Sequence, residues 1–196
     1  MASKCRMFKV NISNIINVEL IAKSECNCER MAELMASVEG KSKLNDTSVV
    51  LFSLGTNDIA QLGVDLTLKR CQWLIEYTRR NFSGIQTIGW MKLSPRWKPS
   101  RFFSGHEFAN LHHEFNDRLY VLSKEINIDV IDAKLQTEDI RVQDGLHPTL
   151  SSGRQKFENV QQQWFAQQAM HVSKTTVQQL QQQQHNRRTI ITTTII

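Results

Sequence analysis

Hydrophobic positions along this chain follow two alternating rhythms. Val49-Val50-Leu51-Phe52 is the most continuous apolar run, and an apolar run without polar alternation is what a strand buried on both faces of a parallel sheet requires. Ile85-Gln86-Thr87-Ile88-Gly89-Trp90 and Ile128-Asp129-Val130-Ile131 read as further short strands, and Asn17-Val18-Glu19-Leu20-Ile21-Ala22 is β-prone. Between these runs the apolar spacing changes to three and four. Met31, Leu34, Met35 and Val38 form one helical stripe, with Gly40 placed to end it. Asp65 is a candidate N-cap for a second helix lined by Leu68, Cys71, Leu74 and Ile75. Phe108, Leu111, Phe115, Leu119, Leu122 and Ile126 give the clearest helix in the chain. Phe157, Val160 and Trp164 stripe a last one that opens near Pro148. Residues 92–104, which contain Pro95 and Pro99, read as a long loop. Strands and helices in alternation predict an α/β fold built on a parallel sheet.

From residue 170 onward the rhythm stops. A glutamine-rich patch and a Thr/Ile-only end follow, too uniform to pack. The expected organisation is one domain over residues 1–169 and a disordered or loosely helical tail over 170–196. A chain of 196 residues with 40% hydrophobic and 22% charged residues suits a single packed domain. No run approaches the roughly 18 apolar residues of a membrane span, and no secretory leader follows Met1. As written, the chain reads as soluble and cytoplasmic, with no membrane partner. Its net charge of +5 comes largely from the tail, which holds Lys174, Arg187 and Arg188 and no acid. The body is close to neutral and has no clustered basic face, so nucleic acid is not an expected partner. Cys5, Cys26, Cys28 and Cys71 are too scattered for a disulfide framework. Cys26 and Cys28 are one residue apart where zinc sites use about two to four, so free thiols, no metal and no cofactor are expected.

Two polar segments sit where a parallel α/β sheet binds ligands, beyond the carboxyl ends of its strands. Leu54-Gly55-Thr56-Asn57-Asp58 follows the buried strand directly. Gly55 permits a tight exit turn, and Asn57 offers a neutral amide donor. Asp144-Gly145-Leu146-His147-Pro148 stands before the last helix. A carboxylate three residues ahead of a histidine on a turn can bind Nδ1 and leave Nε2 as a general base. Taken alone, the first segment equally describes a turn and the second a helix cap.

In this order and at these places, the two segments resemble the third and last motifs of the SGNH (GDSL-type) hydrolase superfamily, over roughly residues 15–168. The resemblance implies a flavodoxin-like, three-layer α/β/α domain that hydrolyses acyl or acetyl esters by a Ser-His-Asp mechanism. It implies His147 as the base that deprotonates the serine and Asp144 as the residue that orients it. Asn57, with Gly55 at its side, would donate to the oxyanion, a contact whose loss typically slows acyl transfer by about a hundredfold. The implied partner is a small ester or acylated substrate.

The sequence departs from this family in two places. No Gly-Asp-Ser occurs anywhere in it, so the nucleophile of the first motif has no counterpart. The stretch that matches the second motif, Lys23-Ser24-Glu25-Cys26-Asn27, has no glycine. The backbone N–H survives such a change, but a side chain there crowds the acyl pocket or resists the required backbone angle. Flavodoxin-like sheets place strand 1 at the centre, and its crossover to strand 2 takes about a dozen residues. Residues 2–14 are therefore expected to be the first helix, and strand 1 to lie ahead of Met1. A truncated gene model, a shorter isoform and a decayed copy all fit this expectation. The expected function is an SGNH-like hydrolase domain that keeps His147, Asp144 and Asn57 but lacks the serine, and so is inactive as written. The alternative is a non-catalytic SGNH-like domain that binds ligands or proteins in the same cleft. Whether the chain is an enzyme, which ester it takes, its oligomeric state and the role of the tail are not legible.

Two other groups of residues remain open. His106, His112 and His113 read as surface or half-buried helix histidines rather than metal ligands. Arg96, Trp97, Lys98, Arg101, Phe102 and Phe103 form a basic, aromatic loop that is either a plain surface loop, a wall of the substrate cleft or a phosphate contact.

Overall fold

The computed structural model describes Glu19, Ile21 and residues 23–99 and 103–189, with side chains described as far as His171. The expected helix over 2–14 and the β-prone run Asn17–Ala22 lie outside the described residues, apart from Glu19 and Ile21, as do Arg101 and Phe102.

Three apolar runs form strands: β1 (Val49–Phe52), β2 (Thr87–Met91) and β3 (Asp129–Ile131). They pair in parallel in the order β1-β2-β3, with Val49 opposite Thr87 and Gly89 opposite Asp129. Each strand is reached through helix, as parallel pairing demands. The helices are α1 (Cys28–Ala36), α2 (Val38–Leu44), α3 (Thr56–Asn81), α4 (Gly105–Glu125) and α5 (Ser152–Thr189).

Because side chains alternate across a strand, the sheet divides its apolar residues between two cores. Val50, Phe52, Ile88, Trp90 and Val130 face α1, α3 and α4, among Met35, Leu74, Ile75, Phe108, Phe115 and Leu119. Val49, Leu51, Met91 and Ile131 face α5, where Phe157, Val160 and Trp164 pack on them. Helices therefore cover both faces, in the three-layer α/β/α arrangement, and each large side chain so buried stabilises the fold by about 1.5–3 kcal/mol. Gly89 is the point of closest approach. A Cβ there would lie 2.7 Å from Cζ2 of Trp164, so the strand carries glycine where α5 lays its indole on the sheet. That indole is fixed by its own donor, Nε1 to Asp129 Oδ2 at 2.8 Å.

Helix ends show where the sequence pattern misled. The stripe through Val38 does not continue as one helix to Gly40. Ser37 stands in extended conformation, closes α1 by donating its N–H to Glu33 O, and opens α2 by accepting from Gly40 N at 3.0 Å. Val38 is consequently 89% exposed and Gly40 lies inside α2. A serine side chain that captures a backbone N–H three residues on outcompetes helix continuation. Similarly, Asp65 does not cap a helix. The helix has already begun at Thr56, and it breaks at Gly63 (φ 70°, ψ −177°), which leaves Asp65 in the turn after the break. The α4 reading holds, with Ser104 and Glu107 forming a reciprocal capping box at its start. The last helix opens at Ser152 rather than near Pro148, because Pro148 is bridged to Ile140. Its backbone continues through Thr189.

Candidate functional site

Parallel strands put all their carboxyl ends on one edge of the sheet, and the loops carrying the candidate residues leave from that edge. After β1 the chain turns through Gly55, whose φ of 119° is one that side-chain-bearing residues rarely adopt. A Cβ there would also stand 3.3 Å from the Phe115 ring. The indole of Trp90 donates to the Leu54 carbonyl at 3.1 Å, tying the start of this turn to β2.

Beyond the turn, Asn57 and Asp58 bind α3 to the segment that precedes α1. Asn57 Nδ2 donates to Cys26 O at 2.9 Å, which orients the amide and leaves its second N–H. Asp58 is fully buried, and both its oxygens accept from Cys28 N at 3.2 Å, capping α1 from the side. Burial pushes the Asp58 carboxyl up, against the Cys28 N–H and thiol and the charge of Arg70. Glu25, in the stretch where a glycine was expected from the family pattern, has φ 54°. The backbone thus takes the left-handed conformation with a non-glycine residue, a strain of about 1 kcal/mol or more. Its side chain points to solvent.

Asp144 and His147 meet as their spacing suggests. Asp144 Oδ1 accepts from the N–H of Leu146 at 2.9 Å and of His147 at 2.8 Å. Its Oδ2 lies 3.2 Å from His147 Nδ1. An ionised carboxylate only accepts, so the neutral ring carries its proton on Nδ1 and leaves Nε2 unprotonated. Burial pushes the Asp144 carboxyl up, but the His147 and Leu146 N–H groups and the imidazole together hold it below its ordinary range. Both side chains are open to water, at 37% and 59% exposure. The pair therefore adds at most about 1 kcal/mol to stability, and its significance is one of orientation.

Sequence reasoning missed the residues that hold this loop. Arg141 N donates to His147 O and Gly145 N to Arg141 O, both at 2.8 Å, while Arg141 Nε reaches Pro148 O at 3.0 Å. The Asp139 carbonyl accepts from Thr149 N at 2.7 Å, and its carboxylate accepts from Gln136 N and Lys156 Nζ. The Gln136 N–H first, and then Lys156, hold the Asp139 carboxyl down to about 2. The signal for Asp139 was the acidic run Glu138-Asp139 three residues past Gln136, a capping pattern on a one-turn helix (Thr137–Asp139). Lys98 crosses from the loop after β2, packs on Gly145 and donates to Gln143 O. Beside Asp144 an open groove of about 900 Å³ is lined by Trp97, Ile140, Arg141, Val142 and Leu150 among others. The basic loop thus contributes a groove wall.

No hydrogen bond links Asn57 to Asp144 or His147 among the described residues. Asn57 follows β1, and Asp144 and His147 follow β3, on separate loops. Of the helix histidines, His106 and His113 are exposed, but His112 is buried, contrary to expectation. Its Nδ1 binds Ser94 O at 2.8 Å, its Nε2 has no partner, and burial pushes it down to about 4. Cys26, Cys28 and Cys71 are free and buried. Among the described residues no cluster of three or more His, Cys, Asp or Glu side chains is arranged to hold a metal ion, and no helix is long and apolar enough to cross a membrane.

This arrangement of a parallel sheet between helical layers recurs in solved structures. A GDSL-like lipase from Bacteroides thetaiotaomicron superposes with a TM-score of 0.59 at 17% identity, over 74% of this chain and 73% of that one. A Bacteroides fragilis protein assigned as an acylhydrolase gives a TM-score of 0.55 at 21% identity, over 74% and 72%. A catalytic mutant of an acetylxylan esterase from Geobacillus stearothermophilus gives 0.50 at 13% identity, over 70% and 66%. No protein-family model and no curated protein matches the sequence. The chain has the α/β fold of the SGNH/GDSL-type hydrolases.

Proposed function

We propose that this domain is an SGNH-type ester site in which Asp144 and His147 are the orienting acid and general base and Asn57, beside Gly55, is the oxyanion donor. The observation that carries the reading is the 3.2 Å contact of Asp144 Oδ2 with His147 Nδ1, which reserves Nε2 for a substrate or nucleophile. Three structural neighbours named as a lipase, an acylhydrolase and an esterase support an ester as the ligand class. The sequence holds no Gly-Asp-Ser, and base and oxyanion groups without a nucleophile give only residual rate. The domain therefore binds small esters without efficient turnover by this chain.

Two measurements test this. Titration of dimethyl glutarate into 15N-labelled protein is expected to shift the His147 ring and the Asn57 side-chain amide. Shifts confined to another face of the molecule would overturn the site. Hydrolysis of p-nitrophenyl acetate is expected to stay at the residual level of an exposed imidazole in the wild type and to fall further in His147→Ala. A burst of p-nitrophenol that leaves a stable acyl group on a serine or cysteine would show that the chain does supply a nucleophile, and the domain would be a working esterase.

A further inference from the structure

Polar groups that line the groove beside Asp144 are spent on the loop that forms it. Asp144 serves two backbone N–H groups and the His147 ring, and Arg141 Nε donates to Pro148 O. The Gln143 carbonyl accepts from Lys98 Nζ, and Thr149 Oγ1 accepts from Gly153 N at 2.9 Å. Two aliphatic side chains are left over. Val142 and Leu150 line the same groove at 77% and 74% exposure. Apolar side chains held open to water on one concave surface mark a place where a ligand's hydrocarbon gains by being buried.

Charge and size narrow the ligand further. Glu138 and Asp144 stand at the lining against the single guanidinium of Arg141, so two carboxylates outnumber one cation and an anion is disfavoured. The volume of about 900 Å³ falls within the roughly 300–1,000 Å³ of clefts that enclose whole ligands. An acetyl group would cover little of it. Asp144 joins the groove to the proposed ester site, because it lines the one and holds the imidazole of the other.

We propose that this groove takes the hydrocarbon chain of a neutral ester, lying along Val142 and Leu150 and extending several carbons beyond acetyl. The proposal rests on the ester-site reading and narrows its substrate class from small esters in general to uncharged esters with an unbranched chain.

The test titrates methyl acetate, methyl butanoate, methyl hexanoate and sodium hexanoate separately into 15N-labelled protein at pH 7. Each CH₂ buried in an open groove should tighten binding about twofold to fourfold. Methyl hexanoate should therefore bind at least about tenfold more tightly than methyl acetate, and should shift the Val142 and Leu150 amides together with His147 and Asn57. Sodium hexanoate should bind more weakly than its methyl ester. In the double variant Val142→Asn/Leu150→Asn, whose two sites are exposed in the fold, the three esters should bind alike. Equal affinities for the three esters in the wild type, with His147 and Asn57 still shifted, overturn the groove claim and leave the ester site intact. A chain-length preference that survives the double variant overturns it as well, and so does a hexanoate anion that binds as tightly as its ester. These wild-type comparisons stand if the double variant does not fold. Methyl hexanoate that shifts Val142 and Leu150 but neither His147 nor Asn57 overturns the ester-site reading, and with it the ester as the ligand.

Discussion

Gly153→Ala probes the joint that carries His147. Gly153 lies in the first turn of α5, buried against the one-turn helix that ends at Asp139. A Cβ added there would fall inside the van der Waals envelope of the Asp139 carbonyl oxygen, 3.0 Å from the Asp139 carbonyl carbon and 3.0 Å from Thr149 Oγ1. The opposing atoms are backbone, so no rotamer change relieves the overlap. Either α5 or the Asp139 turn must shift by about 1 Å or more. Overpacking of this kind costs about 1–3 kcal/mol, while alanine returns at most about 1 kcal/mol of helix propensity. The net expectation is a loss of about 1–2 kcal/mol, or about 2–8 °C in Tm for a domain of this size. Because the same Asp139 carbonyl holds Thr149 N, the amide signals of residues 144–149 should move with it. Thermal unfolding together with a 15N spectrum reads both effects. A variant as stable as the wild type, or one whose 144–149 signals stay in place, would refute the close approach and the role given to Asp139.

Three further outcomes follow from the same contacts. In Asp144→Asn the amide N–H faces His147 Nδ1, so the ring should move its proton to Nε2, visible in imidazole 15N shifts; an unchanged tautomer would show that Asp144 does not orient the ring. Asp58 is held above its ordinary range by burial, so its contribution to stability is full below the unfolded value and falls as pH rises through the folded one. Asp58→Asn should then match or exceed the wild type at pH 7 and remove that slope, while Asp58→Ala should lose about 1–3 kcal/mol by stranding Cys28 N–H. Asp139 runs the other way. Its folded value of about 2 lies below the ordinary aspartate value of 3.8, so the stability it provides is present above about pH 4 and lost as pH falls towards 2. Asp139→Asn should flatten the acid limb of a urea-unfolding series.

What could be read from the chain alone was set by whether the signal was local. The run Val49–Phe52 reads as a buried parallel strand because nothing in it needs water, and the α4 stripe from Phe108 to Ile126 reads as a helix because its period is unbroken. Asp144 and His147 are three residues apart on one turn, so their contact is a local event. The split at Ser37 was hidden because a capping hydroxyl and a helical stripe can share the same residues, and the hydroxyl prevailed. The burial of His112 was hidden because it depends on Ser94 and Arg96, which a different loop brings over the helix. Arg141 escaped notice for the same reason: its partners are the His147 and Pro148 carbonyls and the Gly145 N–H, which leave no mark in side-chain patterning. The need for glycine at position 89 was hidden for the same reason, because it is set by Trp164, distant in sequence, whose indole fills the space a side chain would take.

The most direct measurement is an intermolecular nuclear Overhauser experiment on the complex with dimethyl glutarate. Methyl protons of the bound ester should show cross-peaks to both the Asn57 side-chain amide and the His147 ring, two groups contributed by separate loops. Cross-peaks to one of them with none to the other, under saturating ester, would mean that the two loops do not form a common site.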